Sequence, residues 1–516
     1  MPECIEKHTI MNSSNTKILP HPVMFVGTGS DVGKSIIATA FCRIFKQDGY
    51  RPAPYKAQNM ALNSYVTPDG LEIGRAQAVQ AEAAGIACTA EMNPVLLKPN
   101  SDHTSQVVLN GKPIGNRAAY DYFRNDIRGR EELRAAAKAA YDRLSNLYNP
   151  IVLEGAGSIS ELNLADTDIV NMSMAVYTHA CTILIADIDR GGVFASVYGS
   201  IMLLPPEQKK RIKGIIINKF RGDLRLFEEG RKILEKITGI PVLGVVPFFK
   251  DIHIEEEDSV ALSLKSTTAR DSLINIAVVR HPQLSNYTDF NSLERDDRVN
   301  VYYTYSPEEL SKADIIILPG TKSTLSDLRD LHNSGLAETI VRSHRAGKTV
   351  LGICGGYQMM GIEVRDPEHV EGTLNHVPGL GLLPVITEMS GEKITRRTDF
   401  TFLPAKQKCF GYEIHMGRSF LADGAEARVL NKTLDGKEDG YYTNVQTMGT
   451  YMHGILDNPE FVEYILSPYL KTEEKNRERK ALSYHEYKDK QYDLLAEHVR
   501  KYVDVEKLYE LMKQDD

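Results

Sequence analysis

At 516 residues the chain exceeds one ordinary domain, for which roughly 150 residues is usual, so two or three domains are expected. Its 42% hydrophobic and 25% charged residues argue against a disordered, fibrous or membrane-embedded chain, and no apolar run reaches the ~18 residues that span a bilayer. A net charge of −8, from 61 Lys+Arg against 69 Asp+Glu, argues against a nucleic-acid binder yet leaves room for a local anion pocket.

Residues 1–20 read as a flexible extension ending at Pro20-His21-Pro22. They hold no apolar core of the kind a secretory signal needs, so a cytoplasmic chain is expected. The six cysteines (Cys4, Cys42, Cys88, Cys181, Cys354, Cys409) show no CxxC pair, which predicts reduced thiols and no structural zinc.

A first domain is expected over 21–262. The apolar run Val23–Val26 meets the turn Gly27-Thr28-Gly29-Ser30-Asp31-Val32-Gly33-Lys34-Ser35, and helical periodicity follows to Phe45. Glycines let backbone N–H groups converge on an anion, and the helix start adds its positive dipole end. Gly29 and Gly33 are thus expected in the cradle, Lys34 on the β/γ-phosphates and Ser35 on Mg²⁺. The common phosphate loop has four residues between its first glycine and Gly-Lys-Ser; counted from Gly27 this one has five.

Further short apolar runs, 151–153, 182–186, 214–217 and 241–246, alternate with helical stretches 131–147 and 226–237. This predicts a doubly wound α/β fold on a parallel sheet. Three runs end in polar groups at the rim where such sheets bind ligands. Glu154 is a candidate Mg²⁺ ligand, Asp187 and Asp189 stand at a second strand end, and Asn218 is placed to read the nucleotide base.

A boundary is expected near 260–270, and a second alternating series over 272–465 predicts another α/β domain. There the strand-like Thr349–Ile353 delivers Cys354 onto a turn with Gly355 and Gly356 before a helix. A nucleophile needs such an elbow, whereas an inert cysteine does not. The Gly355 N–H is expected to line an oxyanion hole, with a second donor from the turn Pro319-Gly320-Thr321-Lys322-Ser323. The required base is His453, in Tyr451-Met452-His453-Gly454, or His415, in the alternating stretch 411–418. Residues 466–516 read as helical and as a solvated cap.

From about 22 to 465 the chain resembles the cobyric acid synthase family, glutamine-dependent amidases of cobalamin biosynthesis. The carrying stretches are Tyr55–Ser64 (YKAQNMALNS), Asn93–Pro99, Glu154–Ser158, Asp187–Ser196 (DIDRGGVFAS), the Cys354 elbow, Tyr412–Gly417 and Tyr451–Gly454. The loop is similar to the longer dethiobiotin synthetase type, and the second half to class I glutamine amidotransferases. The resemblance implies ATP, Mg²⁺ and glutamine as reactants, a corrinoid substrate, Lys56 among the nucleotide-binding residues, His453 rather than His415 as base, and Gly320 beside Gly355 in the oxyanion hole. It also implies ATP-dependent amidation of the b, d, e and g carboxylates of adenosylcobyrinic acid a,c-diamide. Because ammonia released at one site must reach the other, the pairing of the two sites predicts domains packed with their rims facing. Ordinary class I enzymes carry Glu two residues after the histidine; here Ile455 stands there and Asp457 is the nearest acid, so the group orienting His453 is left open. Two rival readings are a cobyrinic acid a,c-diamide synthase and a switch ATPase fused to an inactive amidotransferase-like domain.

Overall fold

The computed structural model describes residues 17–99, 104–118, 127–249, 251–255, 265–471 and 484–514. Most of the expected extension, residues 1–16, and much of the expected boundary lie outside these. The described end of the extension is tied down: the Leu19 N–H donates to Asn149 Oδ1 at 2.8 Å, and Leu19 itself is buried.

The first domain is built on a six-stranded sheet. Its spatial order is Val242–Pro247, Ile212–Phe220, Cys181–Asp187, Val23–Gly27, Ile151–Glu154 and Ala53–Tyr55, with every neighbouring pair parallel. Strands buried on both faces explain the unbroken apolar runs. Met24 and Val26 point into one core and Val23 and Phe25 into the other. Helices Lys34–Gln47, Arg75–Ala84, Ile127–Ser145, Val193–Met202 and Glu228–Thr238 accompany the sheet. Beside it stand a four-stranded sheet containing Gln58–Met60 and Val95–Pro99, and the hairpin Ser64–Val66 with Glu72–Gly74.

In the second domain, the parallel strands run Val299–Thr304, Ile274–Val279, Ile315–Leu318, Thr349–Ile353 and Thr447–Thr450 in space. A mostly antiparallel extension continues the sheet and includes the long hairpin Val385–Phe402 with Gln407–Leu421. The molecule is therefore two α/β domains in series.

The tail differs from the solvated cap expected of it. Its helices Tyr484–Tyr502 and Val505–Met512 return to the first domain, where Tyr492, Leu495, Ala496 and Val499 share a core with Phe41 and Phe45. Arg43 fastens the same face through Asp489 and Asp493 at 2.9 and 2.7 Å. The tail's many charges hid an apolar stripe at helical spacing. Among the described residues no helix is long and apolar enough to cross a membrane.

Candidate active site

The phosphate loop joins the C-terminal end of strand Val23–Gly27 to the helix that opens at Lys34. Gly33 has φ 97°, and a Cβ there would lie 2.1 Å from the Asn218 side-chain nitrogen, so only glycine fits. The Lys34 Nζ donates to the carbonyls of Gly29 at 2.9 Å and Gly157 at 3.0 Å, which aims the ammonium into the cradle. Ser35 Oγ and Lys56 Nζ both donate to Glu154 Oε1, each at 2.8 Å, and the Gln80 amide donates to Oε2. Burial alone would raise the Glu154 pKa, but Lys56 and the hydrogen bonds from Gln80 and Ser35 outweigh it and hold the carboxyl below its usual range.

Asn218 is buried and spends its amide nitrogen on the Val32 carbonyl at 2.9 Å, where it braces the loop. Asp187 takes Lys219 Nζ at 3.1 Å and the Asp189 N–H at 2.8 Å. No group of three or more His, Cys, Asp or Glu side chains gathers as a metal site among the described residues. The hydroxyl of Ser35 beside the Glu154 carboxylate is nonetheless a hard oxygen pair, which suits Mg²⁺ shared with substrate phosphates.

At the second centre, Cys354 sits in the elbow with φ 54° and ψ −113°, a strained conformation for a residue with a Cβ. Its N–H donates to the Thr450 carbonyl at 2.8 Å. A Cβ on Gly356 would fall 1.9 Å from the Leu318 carbonyl oxygen, so the elbow closes only because glycine stands there. The thiol is buried and donates to the Ile414 carbonyl at 3.5 Å. On the facing turn, Gly320 lies against the imidazole: a Cβ there would meet His453 Cε1 at 3.1 Å. The Thr321 nitrogen is 3.1 Å from where a Cβ on Gly355 would sit, so Thr321, next to the Gly320 singled out from the sequence, brings the nearer amide.

His453 follows strand Thr447–Thr450, and its backbone N–H and carbonyl exchange hydrogen bonds with Tyr412 at 2.9 and 3.1 Å. Asp289 Oδ2 lies 2.7 Å from His453 Nδ1, and the Asn286 amide nitrogen 3.4 Å from Nε2. Burial would lower the imidazole pKa, but Asp289 and Cys354, each by charge and by hydrogen bond, raise it to about 10. Cys354, His453 and Asp289 thus form one hydrogen-bonded set.

Two family models cover the two domains in turn. Residues 23–260 match the CobQ/CobB/MinD/ParA nucleotide binding domain, and 275–461 match the CobB/CobQ-like glutamine amidotransferase domain. A cobyric acid synthase of Phocaeicola vulgatus is 63% identical over 496 residues, spanning 96% of this chain and 99% of the relative. The chain belongs to the cobyric acid synthase family. Relatives of that name from Parabacteroides distasonis and Syntrophobacter fumaroxidans are 57% and 46% identical, over 95% and 94% of this chain and 99% and 98% of their own lengths. As a member of this family the chain is a glutamine-hydrolysing ligase with an ATP-binding domain.

Against that family background the absence of Glu at position 455 acquires a structural counterpart. Asp289, from the short turn Tyr287–Phe290, approaches the imidazole from another part of the domain. Sequence reasoning missed it because a carboxylate in a turn after a strand carries no motif; Gln80 was missed because a glutamine within the helix Arg75–Ala84 carries none either. Asp457 makes no such contact with the imidazole among the described hydrogen bonds: its Oδ1 is buried without a hydrogen-bond partner, and burial pushes its pKa to about 7. His415 stacks on Tyr451 with ring centres 3.7 Å apart and points Nδ1 at the Gly417 carbonyl, 3.2 Å away.

Proposed function

We propose that the chain amidates the b, d, e and g carboxylates of adenosylcobyrinic acid a,c-diamide, using ATP and glutamine, to give adenosylcobyric acid. A carboxylate resists ammonia because it is anionic and its oxygen leaves poorly. Transfer of the ATP γ-phosphoryl group to that oxygen makes an acyl phosphate, and ammonia then forms the C–N bond as inorganic phosphate departs. Lys34 neutralises phosphate charge in this scheme, and Gly29 and Gly33 leave room for the phosphates. Bound Mg²⁺ supplies further neutralisation across the phosphates, with Ser35 and Glu154 the residues that would hold it.

Ammonia comes from glutamine. The Cys354 sulfur attacks the side-chain amide carbon, and the oxyanion rests on the Gly355 amide and the facing amides of Gly320 and Thr321. His453 gives its proton to the departing ammonia, then takes one from the water that cleaves the thioester, releasing glutamate and freeing the thiol. Asp289 keeps Nδ1 occupied, so that Nε2 is the nitrogen facing the sulfur.

The observation that carries this reading is the Cys354–His453–Asp289 set, buried on a strained elbow in a chain whose other half holds the phosphate loop. Cys354→Ala tests it. Glutamine-dependent amidation is lost, while high ammonium at alkaline pH still supports amide formation, and chromatography of the corrin product counts four added amides. Two added amides on a substrate lacking the a and c amides would assign the a,c-diamide reaction instead. Unchanged glutamine hydrolysis in the variant would exclude the amidotransferase reading.

A further inference from the structure

The turn that orients His453 is held from the other domain. Ser64 donates its backbone N–H to Asn286 Oδ1, and the Tyr287 N–H donates to Asn63 Oδ1, both at 3.2 Å. All four residues are buried. Because Ser64 claims the Asn286 oxygen, the Asn286 nitrogen is the end turned to the imidazole, 3.4 Å from Nε2. Asn286 occupies the left-handed region, φ 54°, which asparagine adopts more readily than most residues. From the same turn, Asp289 reaches Nδ1. One short turn seated on Asn63 and Ser64 therefore supplies the carboxylate on Nδ1 and packs its Asn286 amide beside Nε2.

Traced backwards, the segment that carries Asn63 and Ser64 begins at Lys56, whose Nζ lies 2.8 Å from Glu154, the carboxylate that also takes the Ser35 hydroxyl. Little slack exists between these ends. The Lys56 N–H donates to the Met92 carbonyl at 2.9 Å, strand Gln58–Met60 pairs with Val95–Leu97, and the Ala61 N–H donates to the Leu97 carbonyl at 3.0 Å. The Asn59 amide reaches Gln77 at 3.1 Å, and Lys98 Nζ donates to Ser64 Oγ at 2.9 Å.

We infer that the segment 56–64 links the ATP site to the glutaminase base, with Asn63 a positioning residue that acts on His453 through the turn 286–290. Glutamine cleavage then answers to occupancy of the phosphate loop, because a shift at Glu154 and Lys56 is carried along the segment to the turn. The inference rests on the glutaminase role of Cys354 and His453 proposed above.

The test compares wild type with Asn63→Ala, Asn286→Ala and the double variant in the full chain. In Asn63→Ala, kcat with glutamine falls about tenfold, as loss of sub-ångström positioning does. The KM for glutamine and the ammonium-supported rate stay within about twofold, since neither site of chemistry is touched. The alkaline limb of the glutamine pH profile moves to lower pH as Asp289 loosens, and the double variant is no worse than the poorer single one. A non-hydrolysable ATP analogue with Mg²⁺ changes the glutaminase rate of wild type and leaves that of Asn63→Ala unchanged. An equal response of both to the analogue, equal loss with glutamine and ammonium, or an unmoved alkaline limb overturns the inference. Cys354→Ala is the control. If glutamine hydrolysis survives it, the underlying reading fails; if it is lost while Asn63→Ala behaves as wild type, the link alone fails.

Discussion

Imidazole in water is half protonated near pH 6.5, whereas His453 holds its proton to about pH 10. Asp289 and the cysteine sulfur outweigh burial, so the ring rests as the cation that can protonate departing ammonia. The pair's contribution to folding is fully present below about pH 6.5 and is lost as pH rises through about 10, and activity with glutamine ends on the same alkaline side. Asp289→Asn is expected to lower kcat/KM for glutamine about a hundredfold and to move that limb down in pH, which a pH-rate profile measures; a limb that stays in place counts against Asp289. Lys34→Ala carries a different signature: amidation is lost with glutamine and with ammonium alike, as a product assay with each nitrogen source shows. Lys34, Ser35 and Cys354 were legible in the sequence because glycines and neighbours on both sides advertise their chemistry. Asp289 and Gln80 were not, since only the folded chain brings them to His453 and Glu154.

Among the elements, those of the two sheets were the most legible. The apolar runs at 151–153 and 182–186 became the strands Ile151–Glu154 and Cys181–Asp187, because strands covered on both faces cannot hide their composition. The tail helix Tyr484–Tyr502 was half legible. Its stripe Tyr492, Leu495, Ala496 and Val499 says that one face is buried, but an apolar face does not name what it packs on, and here that is the helix Lys34–Gln47 directly behind the phosphate loop. Leu495 is fully buried, so Leu495→Ala should cost about 2–5 kcal/mol. Expected is a lower melting temperature for the transition of the first domain, with the second domain's transition in place; a calorimetric scan resolving two transitions separates them, and an unshifted first transition would contradict the packing.

At the scale of the molecule, facing rims were expected only from the pairing of an ammonia-releasing site with an ATP site, and the contacts that join the domains were not legible, because they are polar groups far apart in the chain. One is ionic. Glu72 of the first domain is buried between Lys98 of the same domain, at 2.7 Å, and Lys393 of the long hairpin in the second. Burial alone would lift the Glu72 pKa, but the two ammonium groups outweigh it and hold it far below the usual carboxylate range. The Lys393 ammonium lies close enough to the Cys354 sulfur to feel it electrostatically, which puts this junction beside the elbow. With a depressed pKa, the contribution of Glu72 is present above about pH 4.3, the ordinary glutamate value, and is lost only as pH falls well below it. The junction should therefore hold across neutral pH and open in acid. Glu72→Gln leaves two buried lysines without their shared counter-ion, a loss of about 3–5 kcal/mol by the measure of broken buried pairs. Both domains keep their own cores in this variant, so the damage falls on their contact. Backbone amides of residues 63–66 and 286–290 are expected to exchange with deuterium faster at pH 7, and glutamine-dependent amidation to fall more than ammonium-dependent amidation. Protection equal to wild type in those two segments would show that Glu72 does not hold the domains together.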